Sequence, residues 1–217
     1  MRKLWPGVLA VIAAGVFGVV MHDQLPDQVA THWNLHGEPD GWSSRTFAVV
    51  MLPAIGLLLA AFLAWAPRID PKRENFALHE NSWWLLANAV LVFLAALHVI
   101  ALGSALGWPI PFNKALGLGL GLMMVVLGNY ITRVRQNWFL GIRTPWSLSS
   151  ERSWRETHRI GGRLMALGGA VLVIVSITMG HVPGWMLLAC LGIPAIVAVL
   201  VSYFVWKNDP QTGGASR

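Results

Sequence analysis

The sequence predicts an all-α, polytopic membrane protein with six transmembrane helices and both termini in the cytoplasm. Three observations predict it. Hydrophobic residues fill 55% of the 217 positions and charged residues only 12%, about half the roughly 25% charge of an ordinary soluble domain. Several apolar runs approach or exceed the roughly 18 to 20 residues that cross a bilayer as helix. Lys and Arg are also concentrated in alternate loops, as membrane topology requires. The same composition excludes disorder. The single cysteine, Cys190, lies inside an apolar run, which excludes an intramolecular disulfide framework, a cysteine-rich zinc site and a CxxC redox pair.

The apolar runs lie at about 4–21, 47–66, 83–106, 114–132, 162–180 and 185–206. Met1-Arg2-Lys3 resembles the basic start of a secretory signal. The run that follows is too long and shows no clear small-x-small cleavage site, so it reads as an uncleaved helix. Fourteen of the sixteen basic residues fall on one side of this plan, and only Arg45 and Lys114 on the other. With the acidic residues included, the net charge is about +8 inside and −2 outside, which places both ends in the cytoplasm. The net charge of +6 is thereby explained by topology, and no direct nucleic-acid binding is expected. Trp5, Trp65, Trp83, Trp84, Trp108, Trp185 and Trp206 fall at the ends of the expected spans, where indole rings prefer the headgroup layer. Gly117 with Gly121, and Gly15, Gly18, Gly168 and Gly169, offer flat surfaces for close helix packing.

The chain reads as one six-helix domain over 1–217, with a disordered tail at 208–217 and two long loops at 22–46 (outer) and 133–161 (inner). Loops beyond about 12 to 15 residues are usually functional or disordered, and the Trp, Pro, Gly and paired charges of these two favour folded segments. In the outer loop Pro39-Asp40-Gly41 has turn chemistry, and Trp33 and Trp42 are placed to hold the loop against headgroups. His22, His32 and His36, with Glu38 and Asp40, have the residue types of a metal site without a diagnostic spacing. No bound metal or other cofactor is assigned, and His32 reads as a hydrogen-bonding or ligand-contacting side chain.

In the inner loop Thr144-Pro145 marks a turn. Ser149 then reads as the N-cap of a short helix with Glu151/Arg155 and Arg152/Glu156 pairs. Trp154, His158 and Gly161 share one face of that helix, and Trp154 and the arginines suit headgroups and anionic membrane lipids. Arg143, between two turn-forming elements, is a fixed guanidinium suited to a carboxylate or a backbone carbonyl.

Two sets of residues carry a resemblance to a known family. Outside they are Leu25-Pro26-Asp27, His32, Gly37 and Pro39-Asp40-Gly41. Inside they are Asn137, Gly141-Ile142-Arg143-Thr144-Pro145-Trp146, Ser149, Trp154, Thr157-His158-Arg159 and Gly161. Together with the six-span plan they resemble the SdpI family of bacterial immunity proteins over nearly the whole chain. The resemblance implies a multi-pass protein of the bacterial cytoplasmic membrane that protects against a secreted peptide toxin and, as in the founding system, recruits a cytoplasmic repressor protein. It implies that His32, Trp33, Asn34, Gly37 and Asp40 face the toxin. Asn137, Gly141, Arg143, Thr144, Pro145, Trp146, Trp154, His158 and Arg159 would form the cytoplasmic motif.

The residues leave other readings open. Each long loop follows the first span of a three-span half. Trp33-x-Leu35-x-Gly37 with Trp42-Ser43-Ser44-Arg45 is similar to Trp138-x-Leu140-Gly141 with Pro145-Trp146, Ser149-Ser150 and Arg152, as a 3+3 inverted repeat would produce. His98, near the middle of a span, is an intramembrane candidate for function or for an interhelical hydrogen bond. A solute or lipid transporter is therefore one alternative, and a membrane metalloenzyme built on the outer histidines is another. No GxSxG, HExxH or phosphate-cradling glycine loop occurs, so no catalytic residue is assigned and the chain does not read as an enzyme.

Overall fold

The computed structural model describes residues 3–109 and 111–212. Arg2, Arg217 and the tail positions 213–217 lie outside the described residues. Among the described residues, six helices are long and apolar enough to cross a membrane. They are α1 (Trp5–Met21), α2 (Arg45–Ile69), α3 (Phe76–Ala105), α4 (Phe112–Ile131), α6 (Glu151–Thr178) and α7 (Gly184–Lys207). The outer loop holds an antiparallel hairpin of β1 (Gln28–Trp33) and β2 (Pro39–Ser44), and the inner loop holds a one-turn helix, α5 (Pro145–Ser149).

Small residues set the packing. A Cβ on Gly121 would lie 2.7 Å from the Gly169 carbonyl oxygen, and one on Gly128 would lie 2.4 Å from that of Gly162. α4 and α6 therefore meet backbone to backbone, which only small residues permit in a bilayer. In the first half, Asn88 of α3 joins α1: its Oδ1 accepts the Gly7 N–H at 2.7 Å and its Nδ2 donates to the Lys3 carbonyl at 2.8 Å. α3 packs on α4 and so joins the two halves.

Several span ends differ from expectation. α3 begins at Phe76, with a break in helical geometry at His79, so Trp83 and Trp84 sit inside the bundle rather than in headgroups. Trp83 is 1% exposed and donates to the Leu63 carbonyl. The short interfacial helix expected after Ser149 is instead the start of α6, continuous with the fifth span. Its N-cap is Ser150, whose Oγ accepts the Ser153 N–H at 3.0 Å, while Ser149 only closes back on Trp146. The start of the tail is docked, because Asp209 is buried against Ser150. The two long loops, similar in sequence, have different folds: a β-hairpin outside and a helical turn inside.

Candidate functional site

The outer hairpin corrects the turn read at Pro39-Asp40-Gly41. Those residues lie in β2, paired with β1 in the register Trp33↔Pro39 and His32↔Gly41. The reversal is made by Asn34 to Glu38. Asn34 Oδ1 accepts the N–H groups of His36 and Glu38 at 2.8 and 3.0 Å, and Gly37 adopts φ +80°. An Asn folding back on amides ahead of it, followed by a positive-φ Gly, is a strong local reversal signal.

The hairpin lies across the outer end of the bundle. Val29 is buried against Leu25, Ala48, Val49 and Leu102. Trp33 stacks on Phe112 at the start of α4, with ring centres 3.7 Å apart and planes within 9°. It is therefore held by protein rather than by headgroups, whereas Trp42 is exposed. At the tip, a Cβ on Gly37 would lie 2.6 Å from the Asn113 amide, whose Oδ1 accepts the Val182 N–H at 2.7 Å. The tip thus ties the first half of the chain to the second.

On the exposed rim His32 Nδ1 and Asp40 Oδ1 are 2.5 Å apart. His22 is engaged by Asp23 and Thr46, and His36 is at the tip. The three histidines do not converge. Among the described residues no group of three His, Cys, Asp or Glu side chains is placed to hold a metal ion.

Beneath the hairpin is an apolar cavity of about 250 Å³ between α2, α3 and α4, lined by Val29, Trp33, Leu52, His98, Phe112 and Leu116 among others. His98 lies seven residues from the outer end of α3, nearer the outer face than mid-span. Its ring packs over Gly18, where a Cβ would lie 2.9 Å from Nε2, and Nε2 has no hydrogen-bond partner among the described residues.

At the other end of the bundle the inner segment is built from buried polar groups. Asn137, 2% exposed, uses its full side-chain capacity. Its Oδ1 accepts the N–H groups of Phe139 and Leu140, and its Nδ2 donates to the carbonyls of Arg135 and Leu140, at 2.7 to 2.9 Å. Gly141 has φ +131°, and a Cβ there would strike His158 Nε2 at 2.5 Å. That contact explains the glycine: it lets Ile142 N–H reach His158 Nε2 at 2.9 Å.

Nε2 is therefore an acceptor, and Nδ1 carries the proton donated to the Trp154 carbonyl at 2.7 Å. His158 stacks on Trp154 with ring centres 4.0 Å apart. Trp154 is 1% exposed and its Nε1 donates to the Val134 carbonyl. Trp154 is thus a core anchor and not a headgroup contact.

Thr144 and Ser147 form a reciprocal capping box, with Pro145 in the first turn. Thr144 Oγ1 also donates to Ser202 of α7 at 2.8 Å, and Trp146 meets Tyr203 edge-on. Arg143 Nη1 donates to the Trp138 carbonyl at 2.7 Å, the backbone partner its setting suits. On the exposed side of α6, Arg159 pairs with Glu156 rather than Glu156 with Arg152; Arg152 instead donates to the Asn208 carbonyl.

Sequence reading missed four residues that complete this network. Asp70 accepts the N–H groups of Lys72 and Trp138 at 2.7 and 3.0 Å. Gln136 donates to the Ser147 and Leu148 carbonyls and accepts from Lys72. Ser202 receives Thr144 and its carbonyl receives Ser153. Asp209 accepts from Ser150, a hydrogen bond that holds its carboxyl below the ordinary value.

Six spans, a lid-like outer hairpin over an apolar cavity and a locked polar segment at the opposite end define a multi-pass membrane protein with one elaborated element on each face. Residues 133–203 match the model of the SdpI/YfhL protein family, and residues 9–57 match that of a domain of unknown function. The immunity protein SdpI of Bacillus subtilis (strain 168) is 22% identical over 208 residues, covering 96% of this chain and 98% of that protein. The chain is thus similar to the SdpI/YfhL family in its 133–203 segment and to the Bacillus subtilis immunity protein over nearly its whole length. No solved structure matches it.

Proposed function

We propose that this chain is an immunity protein of the bacterial cytoplasmic membrane, one that protects the cell against a secreted toxic peptide. The match of residues 133–203 to the SdpI/YfhL family and the name of the Bacillus subtilis relative support the reading. The observation that carries it in this molecule is the outer hairpin. It sets the exposed His32–Asp40 pair at the rim of an apolar cavity at one face of the bundle. A membrane-active peptide combines apolar side chains with a polar backbone, and this arrangement meets both. The cavity beside Leu52, His98 and Leu116 takes apolar side chains, while His32 and Asp40 offer polar contacts and Asn34 holds the turn that presents them. Trp33 and Gly37 hold the hairpin in place.

The charge distribution supports the orientation, with the hairpin outside and the inner segment in the cytoplasm. In the single six-helix domain the buried members of the inner motif, Asn137, Thr144, Trp154 and His158, with the half-buried Gly141, then hold a cytoplasmic surface. Arg143 and Arg159 are its exposed charged members, with Pro145 exposed beside them, and a repressor would dock against them. The reading assigns the chain no catalytic step and no cofactor.

The test is survival of a peptide-toxin-sensitive bacterium expressing the protein at a verified membrane level. Protection relative to empty-vector cells is the expected result. No protection at any toxin dose, with the protein correctly inserted, overturns the reading. Capture of a cytoplasmic DNA-binding protein only in the presence of toxin is the expected mark of the signalling half.

A further inference from the structure

Three arginines of the inner segment face one pocket and have no carboxylate partner. The pocket, about 360 Å³, lies between Leu78 of α3, the 132–136 segment that follows α4 and the start of α6, and is lined by Arg133, Arg135, Glu151 and Arg155 among others. None of the three arginines forms an ion pair among the described residues, in contrast to Arg159, which is paired with Glu156. Glu151 is the one carboxylate lining the pocket, so its charged side chains sum to +2. Guanidiniums without an ion-pair partner around a polar hollow suit an anion with several oxygens, and phosphate above all.

α3 and α4 bound a second hollow of about 260 Å³, almost wholly apolar, lined by Val92, Phe93, Ala96, Gly119, Met123 and Val126 among others. Val126 and Tyr130 are four residues apart on one face of α4, and the Arg133 guanidinium lies 4.8 Å from the Tyr130 ring centre. That face of α4 therefore leads from the apolar groove to the basic pocket. At about 1.5 Å per residue, Val126 to Gly119 lies roughly 9 to 20 Å from Thr132 at the pocket. This range includes the roughly 15 Å depth of one leaflet's hydrocarbon.

We infer that the α3/α4 seam binds one anionic phospholipid. Its phosphate sits among Arg133, Arg135 and Arg155, a headgroup hydroxyl donates to Glu151, and one acyl chain lies in the groove at Gly119. The inference rests on the orientation above, which puts this end in the cytoplasmic leaflet where anionic lipids meet basic residues. It does not depend on the immunity reading.

The test uses the full-length protein, stripped of lipid and titrated with phosphatidylglycerol, with phosphatidylcholine of the same acyl length, and with inorganic phosphate. Bound mass is read by native mass spectrometry. Phosphatidylglycerol is expected to bind in preference to phosphatidylcholine. Arg135→Gln should weaken it about fivefold, and the triple Arg133→Gln/Arg135→Gln/Arg155→Gln change about a hundredfold. Gly119→Leu, which fills the groove and leaves the arginines intact, should also weaken it, whereas Arg159→Gln should not.

Size-exclusion profile and unfolding temperature report folding. If the triple variant does not fold, Arg135→Gln and Gly119→Leu decide. Equal binding of both lipids, or phosphatidylglycerol binding unchanged in Arg135→Gln and Gly119→Leu, overturns the inference. Inorganic phosphate that binds as tightly as the lipid and is indifferent to Gly119→Leu does so too, by making this a site for the free ion.

Discussion

The outer hairpin and the inner segment are loops of similar length at opposite ends of one bundle, and they use their side chains in opposite ways. Outside, His32 and Asp40 bond mainly to each other and stand on an exposed rim, with an apolar cavity below. Inside, Asn137, Thr144, Ser147, Trp154 and His158 are buried and bonded to backbone or to other spans. A group that spends its hydrogen bonds on the fold has none left for a partner. A group paired only in solvent can exchange that pair at small cost. The two motifs are therefore unlike in kind: the inner one fixes the architecture, and the outer one leaves its His32–Asp40 pair exposed on the rim.

This contrast is easiest to break at the inner end. Trp154→Ala removes a fully buried ring together with its bond to Val134 and should cost about 3 to 5 kcal/mol. Thermal unfolding in detergent measures it, and a loss below about 1 kcal/mol would place Trp154 outside the core. His158→Phe keeps a ring against Trp154 but leaves the Ile142 N–H without an acceptor. A loss of about 1 to 3 kcal/mol is expected from that orphaned donor alone, and hydrogen exchange at Ile142 should rise with it.

Gly37→Ala sharpens the comparison from the other side. The new methyl must adopt φ +80° and meet Asn113, so the hairpin tip should lift from α4 at a cost of about 1 to 2 kcal/mol. Faster exchange or proteolysis confined to 28–44 would report it.

The smallest effect concerns pH. The Ser150 hydrogen bond lowers the Asp209 carboxyl in the folded state. Its contribution to stability is therefore complete above the ordinary carboxylate range and is lost as pH falls through the lowered folded value. Protease protection of the Asn208–Asp209 junction should hold down to about pH 4, near the ordinary Asp value, and fail only below it. Asp209→Asn should abolish that step.

How much of this was legible in the sequence follows from where each residue's partners lie. The spans were legible because hydrocarbon demands long apolar runs, and Gly121 because close helix approach demands small residues. The hairpin was half legible. The turn chemistry of Pro39-Asp40-Gly41 drew attention from Asn34 and Gly37, which make the reversal through local bonds. Asp70, Ser202 and Asp209 were not legible, since their partners Trp138, Thr144 and Ser150 are 68, 58 and 59 residues away. Trp154 was misplaced in the headgroups because helical spacing identifies a face without saying what covers it. Here the cover is Leu86, Val134, Leu140 and Gly141.

The most direct test of this division of labour is a matched pair of variants, His32→Ala and His158→Phe, compared for unfolding temperature and for toxin survival per molecule in the membrane. The account predicts that His32→Ala unfolds like the wild type, its exposed pair being worth less than about 1 kcal/mol, yet loses protection. His158→Phe should lose stability and membrane level while each remaining folded molecule still protects. Full protection by His32→Ala, at wild-type membrane levels, would contradict the account.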